Sequence, residues 1–233
     1  SFGDVLSRVR MIANGTNTPL ICDADTGFGG LLNVHYTVKG YEDAGCAAIQ
    51  IEDQESPKKC GHTPDRRVVP IEDMVEKIQV AVEAREDPNF LIIARTDSRT
   101  GLGLDEAIQR GHAFAKAGAD VIFVESPETV EELEAIGRAY EKPTLANMAD
   151  GGKTPILPAT QLQDMGFSIA IFPGLGMLVA AAALESAYRS LLKDGTSAKI
   201  ETPMTSLSDM HHLMGFEEVW AFERKWARDK AAE

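Results

Sequence analysis

The chain has 233 residues, 44% of them hydrophobic and 25% charged, and a net charge of −13 at neutral pH. This composition fits one soluble globular α/β domain, and the acidic balance argues against a nucleic-acid or anionic-membrane surface. No apolar run reaches the roughly 18 residues needed to span a membrane, and no signal-peptide pattern opens the chain. Three cysteines, Cys22, Cys46 and Cys60, argue for a reducing, cytoplasmic setting rather than a disulfide framework.

Taken in order, the elements alternate. Val5, Leu6, Val9 and Ile12 give residues 4–13 helical spacing; Gly15 and Pro19 end it before an apolar strand at 20–22. A helix over 33–44 follows, with Asn33 as its N-cap, then a strand over 47–53 that ends in Glu52 and Asp53. Beyond a long loop come a helix at 71–84, a strand at 90–97, a helix at 105–117 and a strand at 121–125. Ser126-Pro127 reads as an N-cap with proline at the first helical position, opening a helix to 140. Strands at 143–148 and 168–172 flank a helix at 159–165, and an Ala-rich helix covers 174–192. These elements make a body over 1–193. The segment 194–233 reads as a linker and a helix over 209–230, with Leu213, Phe216 and Trp220 in a stripe.

An internal echo supports this parse. The segments 43–52, 116–125 and 164–172 each run from a helix end through a glycine (Gly45, Gly118, Gly166) into a β-branched strand, and each glycine suits a left-handed C-cap. Strands flanked on both sides by helices make a parallel sheet.

Polar residues gather at one end of these strands: Asp23, Asp25, Glu52, Arg95, Asp97, Glu125 and Asn147. A (β/α)8 barrel builds its active site there, and contributions from five successive strands exceed what a doubly wound sheet needs. Six of eight strands are visible. Alternation sends Asp23 and Asp25 to the same side, where two carboxylates repel unless a cation sits between them; oxygen ligands suit Mg2+ or Mn2+. The alternative is that both aspartates only cap the next helix.

The loop over 54–70 is long for a βα connection and basic in an acidic chain, with Lys58, Lys59, Arg66 and Arg67. At its centre Lys58-Lys59-Cys60-Gly61-His62 sets a thiol among two cations and an imidazole, which favour the thiolate and equip it to pass a proton. A zinc pair, a nucleophilic thiol and an idle solvated loop are the other readings, and no further ligands at finger spacing support the zinc.

Asp23-Ala24-Asp25-Thr26-Gly27-Phe28-Gly29, Ile51-Glu52-Asp53, Lys58-Lys59-Cys60-Gly61-His62, Ala94-Arg95-Thr96-Asp97 and Asn147-Met148 together resemble the isocitrate lyase and phosphoenolpyruvate mutase superfamily. The likeness extends over almost the whole chain, and the Lys-Lys-Cys-Gly-His segment belongs to the lyase branch; the mutases lack that cysteine. The resemblance implies a (β/α)8 barrel with a C-terminal helical arm exchanged between subunits of a homotetramer, and a Mg2+ cofactor with Mn2+ as the alternative. Asp23, Asp25 and Glu52 would hold the metal. Lys59, Gly61, Arg95, Glu125 and Asn147 would bind substrate, and Cys60, poised by His62, would be the catalytic acid on a lid. Family members begin with two further βα units, and Ser1 falls just after them, so the first two strands of the barrel are missing from this reading.

The implied reaction is Mg2+-dependent carbon–carbon cleavage of a small 2-hydroxy or hydrated 2-oxo dicarboxylate, giving a 2-oxo acid or oxalate and a carboxylic acid. Methylisocitrate lyases place arginines near the positions of Leu178 and Leu213, where this chain is apolar. The segment Gly151-Gly152-Lys153-Thr154-Pro155 is similar to the branch that holds dimethylmalate lyases, oxaloacetate hydrolases and petal-death proteins. A malate- or oxaloacetate-type substrate is therefore expected. A methylisocitrate lyase, a phosphonate mutase and an inactive oligomeric scaffold are the alternatives.

Overall fold

The computed structural model describes residues 1–63 and 65–227. Its elements are α1 (Phe2–Asn14), β1 (Ile21–Asp23), α2 (Leu31–Asp43), β2 (Ala48–Glu52), α3 (Ile71–Ala84) and β3 (Leu91–Thr96). They continue with α4 (Arg99–Leu102), α5 (Leu104–Ala117), β4 (Val121–Val124), α6 (Val130–Ala139), β5 (Thr144–Asn147) and α7 (Ala159–Met165). The last are β6 (Ile169–Ile171), α8 (Leu175–Asp194), α9 (Leu207–Leu213) and α10 (Phe216–Trp226). All six strands lie parallel in one sheet, in the order β1-β2-β3-β4-β5-β6. Strands in chain order with a helix after each form the arc of a TIM-type (β/α) barrel, as expected.

Alternation along the strands separates two faces. On one, Ala48, Ile93, Val121, Phe123 and Leu145 pack together. On the other, Ile49, Ile51, Ile92 and Ile122 pack beneath Val34, Val38 and Tyr41 of α2, Met74 and Ile78 of α3, and Phe114 of α5. Each fully buried side chain of this size contributes roughly 1.5–3 kcal/mol. Register then aligns the site: Glu52 pairs with Arg95, and Arg95 with Phe123, so these three side chains share the first face.

The three echo glycines have φ of 90° (Gly45), 109° (Gly118) and 105° (Gly166), the left-handed conformations that their helix ends require. Gly166 has a second reason: a Cβ would collide with the carbonyl of Gly137 in α6.

Five expectations change. Cys22 and Cys46, both buried, form a disulfide, because β1 and the turn into β2 bring them together across the strand pair. That pairing removes the argument from cysteine usage for a reducing, cytoplasmic compartment. Asn33 is not the N-cap of α2; Gly30 is, and the Asn33 side chain reaches back to accept its N–H at 3.1 Å. Helix α6 starts at Val130 with Thr129 as cap, so Ser126-Pro127 lies outside it. The helix expected over 209–230 is split into α9 and α10 by Gly215 at φ 75°, and its residues 228–230 fall outside the described ones. Finally, α8 is long and apolar enough by length and composition to cross a membrane, with mean hydropathy 1.3 and only Glu185 and Arg189 charged in its first 18 residues.

The chain groups into two compact units, residues 1–175 and 176–233. In the second, no residue of α8, α9 or α10 is buried.

Candidate active site

Strand ends set the candidate residues, and Arg95 lies at their centre. Its guanidinium makes a two-pronged bond to Asp97, with Nε–Oδ2 and Nη2–Oδ1 both 2.9 Å. It lies 3.4 Å from Glu52 Oε2 and 3.3 Å from Glu125 Oε2, with Phe123 beneath at 5.2 Å. Burial works against the charge, but Glu125, Asp97 and Glu52 more than offset it and hold the Arg95 pKa above its ordinary value. At the end of β5, Asn147 Nδ2 donates to Glu125 Oε2 at 3.0 Å. Arg66, which sequence reading left in the basic loop, also donates to Asp97 Oδ1, at 2.6 Å, and bonds Thr100.

The loop over 54–70 folds back onto this group. Gly61 is buried against it: a Cβ there would fall 2.6 Å from Arg95 Nη2 and 3.0 Å from Glu125 Cδ, so only glycine allows the approach. His62 Nε2 is 3.4 Å from Glu125 Oε1, while Nδ1 accepts the backbone N–H of Lys153 at 3.3 Å. A ring nitrogen that accepts an N–H carries no proton, which leaves Nε2 as the protonated one facing Glu125. Cys60 is free and exposed.

The cations expected around Cys60 are engaged elsewhere. The Lys58 ammonium lies 2.6 Å from Asp25 and 4.0 Å from Glu52, and Lys59 Nζ donates to the Asp65 carbonyl at 3.2 Å. His62 faces Glu125 and Lys153. Physical competition explains this: a lysine beside carboxylates gains more than a lysine beside a thiol.

Asp23, Asp25 and Glu52 were expected to meet around one divalent cation. Among the described residues no three His, Cys, Asp or Glu side chains stand close enough for a ready-made metal cage. Lys58 is instead the positive charge that these acids share; Asp25, Glu52 and Asp23 together raise its pKa against the opposing effect of burial. The donor set nevertheless fits a hard ion. It consists of carboxylate oxygens, selects a cation, and includes the buried Glu52 Oε2, which has no hydrogen-bond partner. Burial pushes the Glu52 pKa up to about 7 against the pull of Arg95.

Two residues escaped sequence reading. Gln54 donates to Glu52 Oε1 (3.0 Å) and to the Lys59 carbonyl (2.9 Å), and its own carbonyl accepts the Lys59 N–H (3.0 Å). It ties the acid at the end of β2 to the root of the loop. Its place two residues after Glu52, on the same face, was the available signal. Lys58, in the same motif as Cys60, was passed over for Lys59. A cavity of about 550 Å3, lined by Arg66, Val69, Asp97, Ser98, Leu102 and Arg110, includes none of Asp25, Glu52 or Cys60.

Against known proteins, residues 1–192 match the family described as phosphoenolpyruvate phosphomutase. The chain is 45% identical over 224 residues to a 2,3-dimethylmalate lyase of Eubacterium barkeri, covering 96% of this chain and 78% of that protein. It is 37% identical over 225 residues to a 2-methylisocitrate lyase of Halalkalibacterium halodurans, covering 97% and 74%. The crystal structure of a 2,3-dimethylmalate lyase superposes with TM-score 0.90 at 33% identity, covering 100% of this chain and 79% of that one. Oxaloacetate acetylhydrolase in complex with 3,3-difluorooxalacetate gives TM-score 0.90 at 31% identity, covering 97% and 77%. Phosphonopyruvate hydrolase with oxalate and Mg2+ gives 0.87 at 31%, covering 98% and 80%. The chain belongs to the phosphoenolpyruvate mutase and isocitrate lyase superfamily. Within it, the chain stands with the carbon–carbon lyases.

Proposed function

We propose that this lyase breaks the carbon–carbon bond beside the hydroxyl-bearing carbon of a four-carbon 2-hydroxy dicarboxylate, or of a hydrated 2-oxo dicarboxylate. The malate and oxaloacetate skeletons are the models for that substrate. The observation that carries the reading is the meeting of Arg95, Glu125, Asn147 and the 60–62 segment at one sheet mouth, beside the acids of β1 and β2. Relatives named for 2,3-dimethylmalate and oxaloacetate support the same skeleton.

Asp23, Asp25 and Glu52 would hold Mg2+, with Mn2+ as the alternative. When bound, the ion supplies a hard positive centre that lowers the cost of negative charge on the substrate oxygen. Arg95, locked by Asp97, presents its remaining N–H groups to a substrate carboxylate, the geometry for which a guanidinium is suited. Glu125 and Asn147 orient the reacting end, and Lys59 and Gly61 line the pocket from the loop. As the hydroxyl gives its proton to a solvent water, the C–O bond becomes a carbonyl and the adjacent C–C electron pair passes to the departing acid. Cys60 gives its thiol proton to that carbon and is left as thiolate. His62, held between Glu125 and Lys153, fixes the segment that carries the thiol.

A 2-methylisocitrate lyase is the second reading, favoured by the 37% identical relative. The segments 173–178 and 213–216, however, contain no lysine or arginine for a third substrate carboxylate. A phosphonate mutase would have no use for Cys60. The exposed Leu213, Phe222 and Trp226 of the C-terminal helices support a homo-oligomer, a tetramer in which these helices exchange between subunits.

The test is a product assay with Mg2+ against 2,3-dimethylmalate, oxaloacetate, 2-methylisocitrate, isocitrate and phosphonopyruvate. The reading expects turnover of one of the first two. Conversion of phosphonopyruvate alone, or of a tricarboxylate alone, overturns it.

A further inference from the structure

Ser126 follows Glu125, is fully buried, and has φ of 60°. That left-handed conformation is one that residues with a side chain rarely adopt and glycine adopts freely. It turns both Ser126 donors toward the site. The backbone N–H donates to Glu125 Oε1 at 2.8 Å. The hydroxyl lies 2.7 Å from the Gly61 carbonyl, 3.1 Å from Glu125 Oε1 and 3.5 Å from His62 Nδ1.

A hydroxyl has one proton, and distance sets its destination, since a carboxylate oxygen can accept more than one donor. Glu125 Oε1 has the Ser126 N–H, and His62 Nδ1 has the Lys153 N–H. The Gly61 carbonyl is the nearest acceptor and takes the proton. Gly61 is therefore fixed from two directions: it lies so close to Arg95 and Glu125 that a Cβ would not fit, and its carbonyl is held by Ser126.

We infer that Ser126 is a positioning residue, whose hydroxyl docks the Cys60-Gly61-His62 segment on the carboxylate and guanidinium of the sheet mouth. Glycine would satisfy this backbone with less strain. Only the hydroxyl explains a serine there, and the Gly61 carbonyl is what that hydroxyl reaches. The inference rests on the reading of Cys60 as proton donor for its effect on turnover, and on the contacts alone for its effect on the segment.

Two variants of the full chain test it. Ser126→Gly removes hydroxyl and strain together, so Tm holds or rises by about 3 °C. Hydrogen–deuterium exchange at residues 60–62, read by mass spectrometry, accelerates about 10-fold as the docked state loses a hydrogen bond. On the substrate found by the product assay, kcat falls about 10-fold with KM within about 3-fold, since the thiol is misplaced rather than the binding groups. Ser126→Ala keeps the strain and shows the same exchange and kcat with a lower Tm. Unchanged exchange in folded Ser126→Gly overturns the inference, as does faster exchange with unaltered kcat. If the unsubstituted enzyme turns over no dicarboxylate, the proposed function fails, and exchange alone decides whether Ser126 holds the segment.

Discussion

Glu52 and Asp53 are neighbours in sequence, equally buried, and point to opposite faces of the sheet. Asp53 is fully occupied: Oδ1 accepts the Asp97 N–H at 2.9 Å, while Oδ2 accepts from Thr96 at 2.7 Å and from Arg110 at 3.1 Å. Glu52 has one bond from Gln54 and a second oxygen with none. The same contrast separates the regions around them. The mouth of the sheet also holds His62 Nε2, which faces Glu125 at 3.4 Å without a hydrogen bond, and Asn147 Oδ1, which also has none. Behind it, the Asp53, Thr96, Ser98 and Arg110 network has its hydrogen bonds made. Burial alone therefore does not distinguish these two carboxylates; incompleteness of hydrogen bonding does, and it marks Glu52 as the one free to take the role proposed above.

The sharpest separation comes from Cys60→Ser. Turnover falls about 1000-fold through loss of the acid, with oxalate affinity by calorimetry and Tm both unchanged. A drop in Tm would mean that this exposed residue belongs to the scaffold after all.

The adjacent carboxylates form the direct test. Asp53→Asn leaves Arg110 short of a buried partner and costs about 3 kcal/mol in urea unfolding, while the folded fraction keeps its turnover. Glu52→Gln does the reverse: stability at pH 8 holds or improves, and Mg2+ affinity falls on the order of 100-fold. Equal destabilisation by the two would erase the distinction drawn between the faces.

A smaller effect is expected with pH. Glu52 has a folded pKa of about 7, above the ordinary carboxylate value. Between about pH 4.5 and 7 the native state then binds more protons than the unfolded chain, so stability falls as pH rises through that window, by about 2 kcal/mol in Mg2+-free buffer. Unfolding curves across this range show the slope in the native sequence and lose it in Glu52→Gln. Smallest is Thr129→Ala, which removes the side-chain cap of α6 and costs about 1 kcal/mol with unaltered turnover.

Much of the frame was readable from residues alone. β-branched runs followed by helical spacing located all six strands, and the repeated helix–glycine–strand segments announced the left-handed caps later seen at Gly45, Gly118 and Gly166. Strand ends likewise announced Arg95, Glu125 and Asn147, because position at a carboxyl end is a property of local sequence. What escaped depends on contacts between distant segments. Ser126-Pro127 has the local chemistry of a helix start, yet tertiary contacts with Gly61 and Glu125 hold Ser126 outside the helix. Lys58 and Lys59 look alike in sequence; only the folded loop directs the first toward Asp25 and the second toward Asp65. Cys22 and Cys46 become partners only when β1 pairs with β2.

Helix α8 spans twenty residues and buries none of them. Isolated helices of a few turns are marginal in water even when rich in alanine, so its own hydrogen bonds do not guarantee its persistence. In the homo-oligomer proposed above, its order would be a property of the population rather than of the single chain. Circular dichroism on serial dilution would show ellipticity draining from this segment while the sheet signal stays level.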